Sequence, residues 1–251
     1  MKIGIIGCGW LGTRVAQKLE TDNEIFVTTR SDENTSHLKS LGFETYQIDF
    51  QTGFDLKTAE LFRSLDVVII SLPVSKKKFS ETISQNAIEF LGDFKGQMVF
   101  FSSVGVYPHE DGIYTEESVE NLNKNILAAE DLYKDAFPQI SILRFGGLMG
   151  DERKFSNYFK SKAIPESNTP VNHIHYEDIS AIIQVLIKNK LEGKLYNVVA
   201  PKHPIKQQVF NFQVEGKDPE NEESENGRIV LGSLLEEELN YIFTKPNPMK
   251  F

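Results

Sequence analysis

Cross-linking chemistry is nearly absent from this chain of 251 residues, which holds 1 cysteine and 5 histidines. Cys8 by itself excludes an internal disulfide framework, and the scattered histidines offer no ligand spacing, so no metal site is expected. Positive charge is also scarce. Lys and Arg number 27 against 36 Asp and Glu, a net charge of −9 with no basic block, which argues against a nucleic-acid partner. No run approaches the roughly 20 apolar residues that cross a bilayer. The N-terminus reaches Gly4 and Gly7 too early for the apolar region of a signal peptide. These absences lead to the expectation of a reduced, cytoplasmic protein with no membrane partner.

What the chain does have is alternation. Short Val/Ile/Phe-rich runs occur at 3–6, 25–28, 45–48, 67–71, 98–101, 140–145 and 195–199. They lack strict polar alternation, as strands buried on both faces do. Helical patterns lie between them: Leu11, Val15 and Leu19 recur four residues apart, and Ile179, Ile182, Ile183, Leu186 and Ile187 form one stripe. Strand–helix alternation of this kind predicts an α/β fold with a doubly wound parallel sheet. The periodicity fades after about residue 146, and no linker marks a boundary. The expectation is one domain over 1–251, its core 1–145 plus 176–200, with smaller substrate-side segments at about 146–175 and 200–251. The stretch 215–227 (EGKDPENEESENG) reads as an acidic solvated loop and 233–241 as a short helix.

The first strand runs into Gly7-Cys8-Gly9-Trp10-Leu11-Gly12, a GxGxxG set directly before a helical stripe. In that setting the first glycine allows a tight turn and the second lets backbone approach a pyrophosphate. The third lets helix and strand pack closely. Amides at the helix start, around Trp10 and Leu11, then face the phosphates. This turn predicts a bound nicotinamide dinucleotide. Selectivity is set about 20 residues further on, where an acidic side chain would hold a ribose 2′-hydroxyl. The chain offers Thr28-Thr29-Arg30-Ser31 instead. Arg30 can pair with a 2′-phosphate and Thr29 and Ser31 can donate to it, so NADP is expected, with NAD as the alternative.

Further motifs follow in order: Ser102-Ser103-Val104-Gly105-Val106-Tyr107, Leu143-Arg144-Phe145-Gly146-Gly147, the stretch from Asn172 to Ile179 (NHIHYEDI), and Leu195-Tyr196-Asn197-Val198. Their order and spacing resemble the extended NAD-dependent epimerase/dehydratase branch of the short-chain dehydrogenase/reductase superfamily, over most of the chain. The resemblance implies a Rossmann fold and a small hydroxylated substrate, such as a nucleotide sugar. It also implies that Asp49 contacts adenine, that Ser71, Leu72 and Pro73 line the cofactor ribose, and that Ser103 occupies the catalytic Ser/Thr position. Pairing into a homodimer through helices beside the fourth and fifth strands is a further implication.

One element of the pattern is missing. The superfamily uses a Tyr-x-x-x-Lys pair on the helix after the fifth strand, where the Lys lowers the Tyr pKa. Here that helix is expected over 121–133, and Leu127-Ala128-Ala129-Glu130 resembles its "LAAE". Counting back from that anchor puts Leu122 and Ile126 in the Tyr and Lys places. The strings Tyr158–Lys162 and Tyr241–Lys245 follow no such strand and read as chance. The glycine spacing also departs from the branch's GxxGxxG. The candidates for moving a proton are therefore Ser103 and Tyr107, the nearest phenol in sequence, with His175 as a relay or structural imidazole. Two functions stay open: a hydride-transferring oxidoreductase or epimerase-like enzyme with a non-standard proton donor, and a non-catalytic dinucleotide-binding redox sensor or partner-binding module.

Overall fold

The computed structural model describes residues 1–74, 80–159, 164, 167–216 and 226–251. The chain opens with β1 (Lys2–Ile6), α1 (Trp10–Leu19), β2 (Glu24–Thr29), α2 (Asp32–Ser40) and β3 (Glu44–Gln47). It continues through α3 (Leu56–Arg63), β4 (Val67–Ile70), α4 (Glu81–Leu91), β5 (Gln97–Ser103) and β6 (Gly112–Tyr114). Next come α5 (Lys124–Ala136), β7 (Ser141–Phe145), β8 (Gly147–Met149), α6 (Phe155–Tyr158) and β9 (His173–His175). It closes with α7 (Tyr176–Lys188), β10 (Leu195–Val198), α8 (Lys206–Glu215), β11 (Arg228–Val230) and α9 (Ser233–Leu239).

All seven apolar runs of the sequence become strands of one seven-stranded sheet, in the order β10-β7-β5-β4-β1-β2-β3. Each pairing from β3 through β5 is parallel, with Ile3 opposite Ile25 on one side and Val67 on the other. The connection reverses direction between β1 and β4, and in doubly wound sheets ligands bind beyond the carboxyl ends of the strands at such a point. The turn after β1 stands there.

The chain divides into two compact units. The first comprises Met1–Val106, Asn123–Leu143 and Ile183–Leu195. Its interior is apolar and aromatic: Phe62 and Phe90 lie 5.2 Å apart, Phe50 and Phe90 5.4 Å, and Phe100 and Tyr133 4.6 Å. The stripe of α1 buries Leu11, Val15 and Leu19 as its spacing requires.

The second unit comprises Tyr107–Leu122, Arg144–Ile182 and Tyr196–Phe251. It holds two small parallel sheets, β6 with β11 and β8 with β9, together with the helices α6, α8 and α9. Buried polar side chains tie its loops. Asp178, with no exposed surface, accepts from Tyr241 Oη (2.8 Å), Thr244 N (2.8 Å), Thr244 Oγ1 (2.9 Å) and Lys245 N (2.9 Å). Asn172 donates to Arg228 O at 2.9 Å and accepts from Val230 N at 2.7 Å.

Two boundaries differ from the sequence expectation. The helix expected over 121–133 begins at Lys124, because Asn123 caps it by accepting from the amides of Asn125 and Ile126. Leu122 consequently precedes the helix, and Asn121 turns through φ 53°. The helix expected over 233–241 stops at Leu239, where Asn240 adopts a left-handed cap. Residues 217–225 of the expected acidic loop, and Lys162 of the Tyr158–Lys162 string, lie outside the described residues. Among the described residues no helix is long and apolar enough to cross a membrane, and no group of three or more His, Cys, Asp and Glu could hold a metal.

Candidate functional site

The three glycines of the first turn differ in what surrounds them. Gly7 has φ +78°, and a Cβ there would meet Leu72 Cδ2 at 2.8 Å. A Cβ on Gly12 would press on Cys8 Sγ at 3.3 Å and Ile5 Cγ2 at 3.4 Å, where α1 packs on β1. Gly9 faces open space: a Cβ there would have Gly7 O, 4.0 Å away, as its nearest atom. Gly9 is also the N-cap of α1 and has no side chain to accept from the first helical amides. An open backbone face at an uncapped helix start is what an anionic phosphate requires.

Side chains lock this turn. Gly7 N donates to Thr28 Oγ1 at 3.1 Å, and Cys8 N to Thr28 O at 2.7 Å. Asn34 Nδ2 donates to both Cys8 O and Thr29 Oγ1, each at 2.7 Å. Ser31 caps α2 by accepting from Asn34 N at 3.3 Å. Asn34 was not foreseen from the sequence; its position three residues after a capping serine was the available signal. Burial pushes the Cys8 thiol up to about 12, so it stays protonated and packs as a small side chain.

A cavity of about 620 Å³ opens beside the turn. Of the residues expected to bind the cofactor, Gly7, Gly9, Thr29, Arg30, Ser31, Asp49, Leu72 and Pro73 line it. Trp10, Leu11, Gly12 and Ser71 are not among its lining residues. Leu11 is in the core, Ser71 N donates to Ile6 O at 2.8 Å, and the Trp10 ring lies under the Arg14 guanidinium at 3.9 Å. Arg30 is exposed at the end of β2, with no carboxylate beside it in the segment 28–31. Asp49 begins a turn by accepting from Gln51 N at 3.0 Å. The far wall, made by Ile48, Phe50, Val74, Ile83, Ser84 and Tyr133, was not foreseen.

The two expected proton-handling groups differ in how their hydroxyls are used. Ser103 is half-buried at the end of β5, and its Oγ accepts from Gly105 N at 3.0 Å. Its neighbour Ser102 donates to the buried carboxylate of Glu130 on α5. Tyr107 lies in the second unit with no exposed surface. Its hydroxyl donates to Asn197 Oδ1 at 2.8 Å and accepts from Arg144 Nη1 at 2.9 Å. Burial raises its pKa, partly offset by Arg144. The Tyr114 ring stacks on it at 5.5 Å, and Glu116 joins the cluster by accepting from Asn197 N at 2.6 Å. Burial raises the Glu116 carboxyl as well. His175 is stacked on Tyr176 at 4.7 Å, accepts from Glu177 N at 3.3 Å, and has its pKa lowered chiefly by burial. Ile126, in the superfamily's Lys place, is a buried core residue of α5.

No family model matches the chain. Solved structures resemble it over nearly its whole length. UDP-glucuronic acid 4-epimerase from Bacillus cereus, in complex with UDP-glucuronic acid and NAD, aligns with a TM-score of 0.77 at 17% identity, covering 100% of this chain and 97% of that one. Yeast methylglyoxal/isovaleraldehyde reductase complexed with NADPH aligns with a TM-score of 0.76 at 14% identity, covering 100% and 95%. Together with the sheet order, these likenesses establish the Rossmann fold. Among curated proteins, the chain is similar to protein YeeZ of Escherichia coli (strain K12), 26% identical over 268 residues, covering 99% of this chain and 97% of YeeZ.

Proposed function

We propose that this chain binds a nicotinamide dinucleotide in the cavity beside the Gly7–Gly12 turn and works as an oxidoreductase or epimerase-like enzyme of the NAD-dependent epimerase/dehydratase type. The observation that carries the reading is the contrast among the glycines. Gly7 and Gly12 are required by neighbouring protein atoms, whereas Gly9 faces empty space at an uncapped helix start. A protein that needed only a turn has no use for the third condition. The solved neighbours that hold NAD or NADPH support the same reading.

Arg30 and the hydroxyls of Thr29 and Ser31 favour NADPH, since an exposed guanidinium at the end of β2 pairs with a 2′-phosphate. Asp49 stands on the adenine side. The dinucleotide would supply the hydride; the chain has to hold the substrate oxygen and move one proton. Ser103 suits the first task, because its oxygen accepts from Gly105 and its own proton is directed to no acceptor among the described residues. Tyr107 is the second candidate, and using it as a donor requires that its bond to Asn197 open. The substrate class is a small hydroxylated compound, including nucleotide sugars of the kind bound by the epimerase neighbour.

A second reading, a dinucleotide-binding module without turnover, draws on Leu122, Ile126 and the doubly engaged Tyr107 hydroxyl. Calorimetric titration with NADPH and NADH tests the binding reading. NADPH tighter by tenfold or more, about 1.4 kcal/mol, is expected. Equal binding removes Arg30 as selector, and binding of neither overturns the proposal. NADPH oxidation against a panel of aldehydes and nucleotide sugars then separates enzyme from module. Ser103→Ala and Tyr107→Phe are expected to lower any turnover found, and full activity in either removes that residue as donor.

A further inference from the structure

One buried polar group on the cavity wall lacks a well-formed hydrogen bond among the described residues. Tyr133, on α5, has no exposed surface and lines the cavity, yet its hydroxyl has no hydrogen-bond partner among the described residues. Buried hydroxyls nearly always find one, so an orphan on a cavity wall marks a place for a ligand atom. Ser84, from α4, lines the same cavity, and its hydroxyl is near enough to lower the Tyr133 pKa against the larger effect of burial, although the pair does not meet the geometry of a hydrogen bond. Burial otherwise pushes the Tyr133 phenol up to about 12, so it stays protonated and can donate.

The surroundings of these hydroxyls select the ligand. Ile48, Phe50, Leu72, Val74 and Ile83 form apolar walls contributed by the ends of β3 and β4 and by α4. Under the proposed function the phosphates would fall to other elements that line the cavity, the backbone of the β1–α1 turn and Arg30 at the end of β2. A group with flat apolar faces and a polar edge fits between apolar walls with hydroxyls beyond them, and a nucleobase has that form. We propose that Tyr133 and Ser84 read the base of the dinucleotide, their hydroxyls hydrogen-bonding the edge of the adenine ring. This rests on the dinucleotide reading above and adds to it the residues that recognise the adenine end. Sequence spacing conceals the role, because Tyr133 falls on the apolar stripe of α5 with Ile126 and Ala129.

The test is calorimetric titration of the full chain, its Tyr133→Phe variant and its Ser84→Ala variant with NADPH and with adenosine 2′,5′-bisphosphate, which carries the adenine end alone. Thermal unfolding without ligand is measured alongside. Tyr133→Phe is expected to weaken both ligands by about tenfold, with a ligand-free Tm equal to the parent's or higher. Ser84→Ala is expected to weaken both by a smaller factor, and no change there removes Ser84 from the assignment. Unchanged affinity in Tyr133→Phe means the hydroxyl meets only a buried water and overturns the inference. A lowered ligand-free Tm overturns it too, since the hydroxyl would then have a partner within the protein. If the parent binds NADPH normally, these failures sink the base-reading role alone. If the parent binds neither ligand, the dinucleotide reading falls and takes this inference with it.

Discussion

The two units of this chain are stabilised by different means. The first is an apolar laminate in which Phe50, Phe62, Phe90 and Phe100 crowd the space beside the sheet. The second has a smaller apolar cluster, around Met149, Phe155, Val171, Ala200 and Val209, and depends on buried polar side chains that bridge distant segments. Asp178 reaches 66 residues along the chain to Thr244, and Asn172 reaches 58 to Val230. Apolar packing tolerates substitution by similar volumes, whereas a polar bridge that loses one end leaves its partners unsatisfied. The difference teaches where each kind of damage should appear.

The strongest test of that contrast is Asp178→Ala. Its carboxylate answers four donors, so removing it leaves the Tyr241 and Thr244 hydroxyls and two backbone amides without their acceptor. We expect a loss of about 3 kcal/mol or more in urea denaturation. A loss under about 1 kcal/mol would mean that the polar bridges do not hold the second unit.

Next in size is an acid effect at His173. Burial, helped by Lys206, lowers this imidazole from 6.5 to about 4, so the folded state keeps it neutral. The unfolded chain takes up a proton first as pH falls, and stability drops. The contribution is whole above pH 6.5 and is lost as pH falls from about 6.5 to about 4, by up to about 3 kcal/mol. Denaturation curves at about pH 7.5 and about pH 4.5, either side of most of that window, check it. His173→Asn should flatten the difference, and an unchanged slope would show that another group carries the acid sensitivity.

The same contrast explains what could be read before the fold was known. The seven strands were legible because runs such as 67–71 are continuous and apolar, and their meaning is local. The turn at Gly7 and the close helix–strand packing at Gly12 were legible because both demands fall within six residues. Tyr107 was named as a donor because it is the phenol nearest Ser103 in sequence; its bonds to Arg144 and Asn197 span 37 and 90 residues, and no spacing rule encodes them. Tyr133 lies on the buried face of α5, where spacing marks only core, and its hydroxyl gains meaning only with the cavity beside it. Sequence pattern reports burial well and reports who meets whom poorly.

The smallest expected effect lies within the turn itself. Gly7→Ala should cost about 1–2 kcal/mol from its left-handed backbone alone, before the 2.8 Å approach to Leu72 is relieved. Gly9→Val should cost less than Gly7→Ala, roughly 0.5–1 kcal/mol from the poorer N-cap, because its φ is −108° and its side-chain direction is open. Its effect should appear in binding instead, as a tenfold or greater loss of NADPH affinity, since under the proposed function the branched side chain would fill the space where backbone meets phosphate. The pair therefore separates two reasons for a glycine that sequence cannot tell apart. If Gly9→Val destabilises the chain as Gly7→Ala does and leaves NADPH affinity unchanged, both glycines serve the fold alone. The open face at the start of α1 would then be a by-product of the turn, and the cavity would have to be filled from its apolar wall.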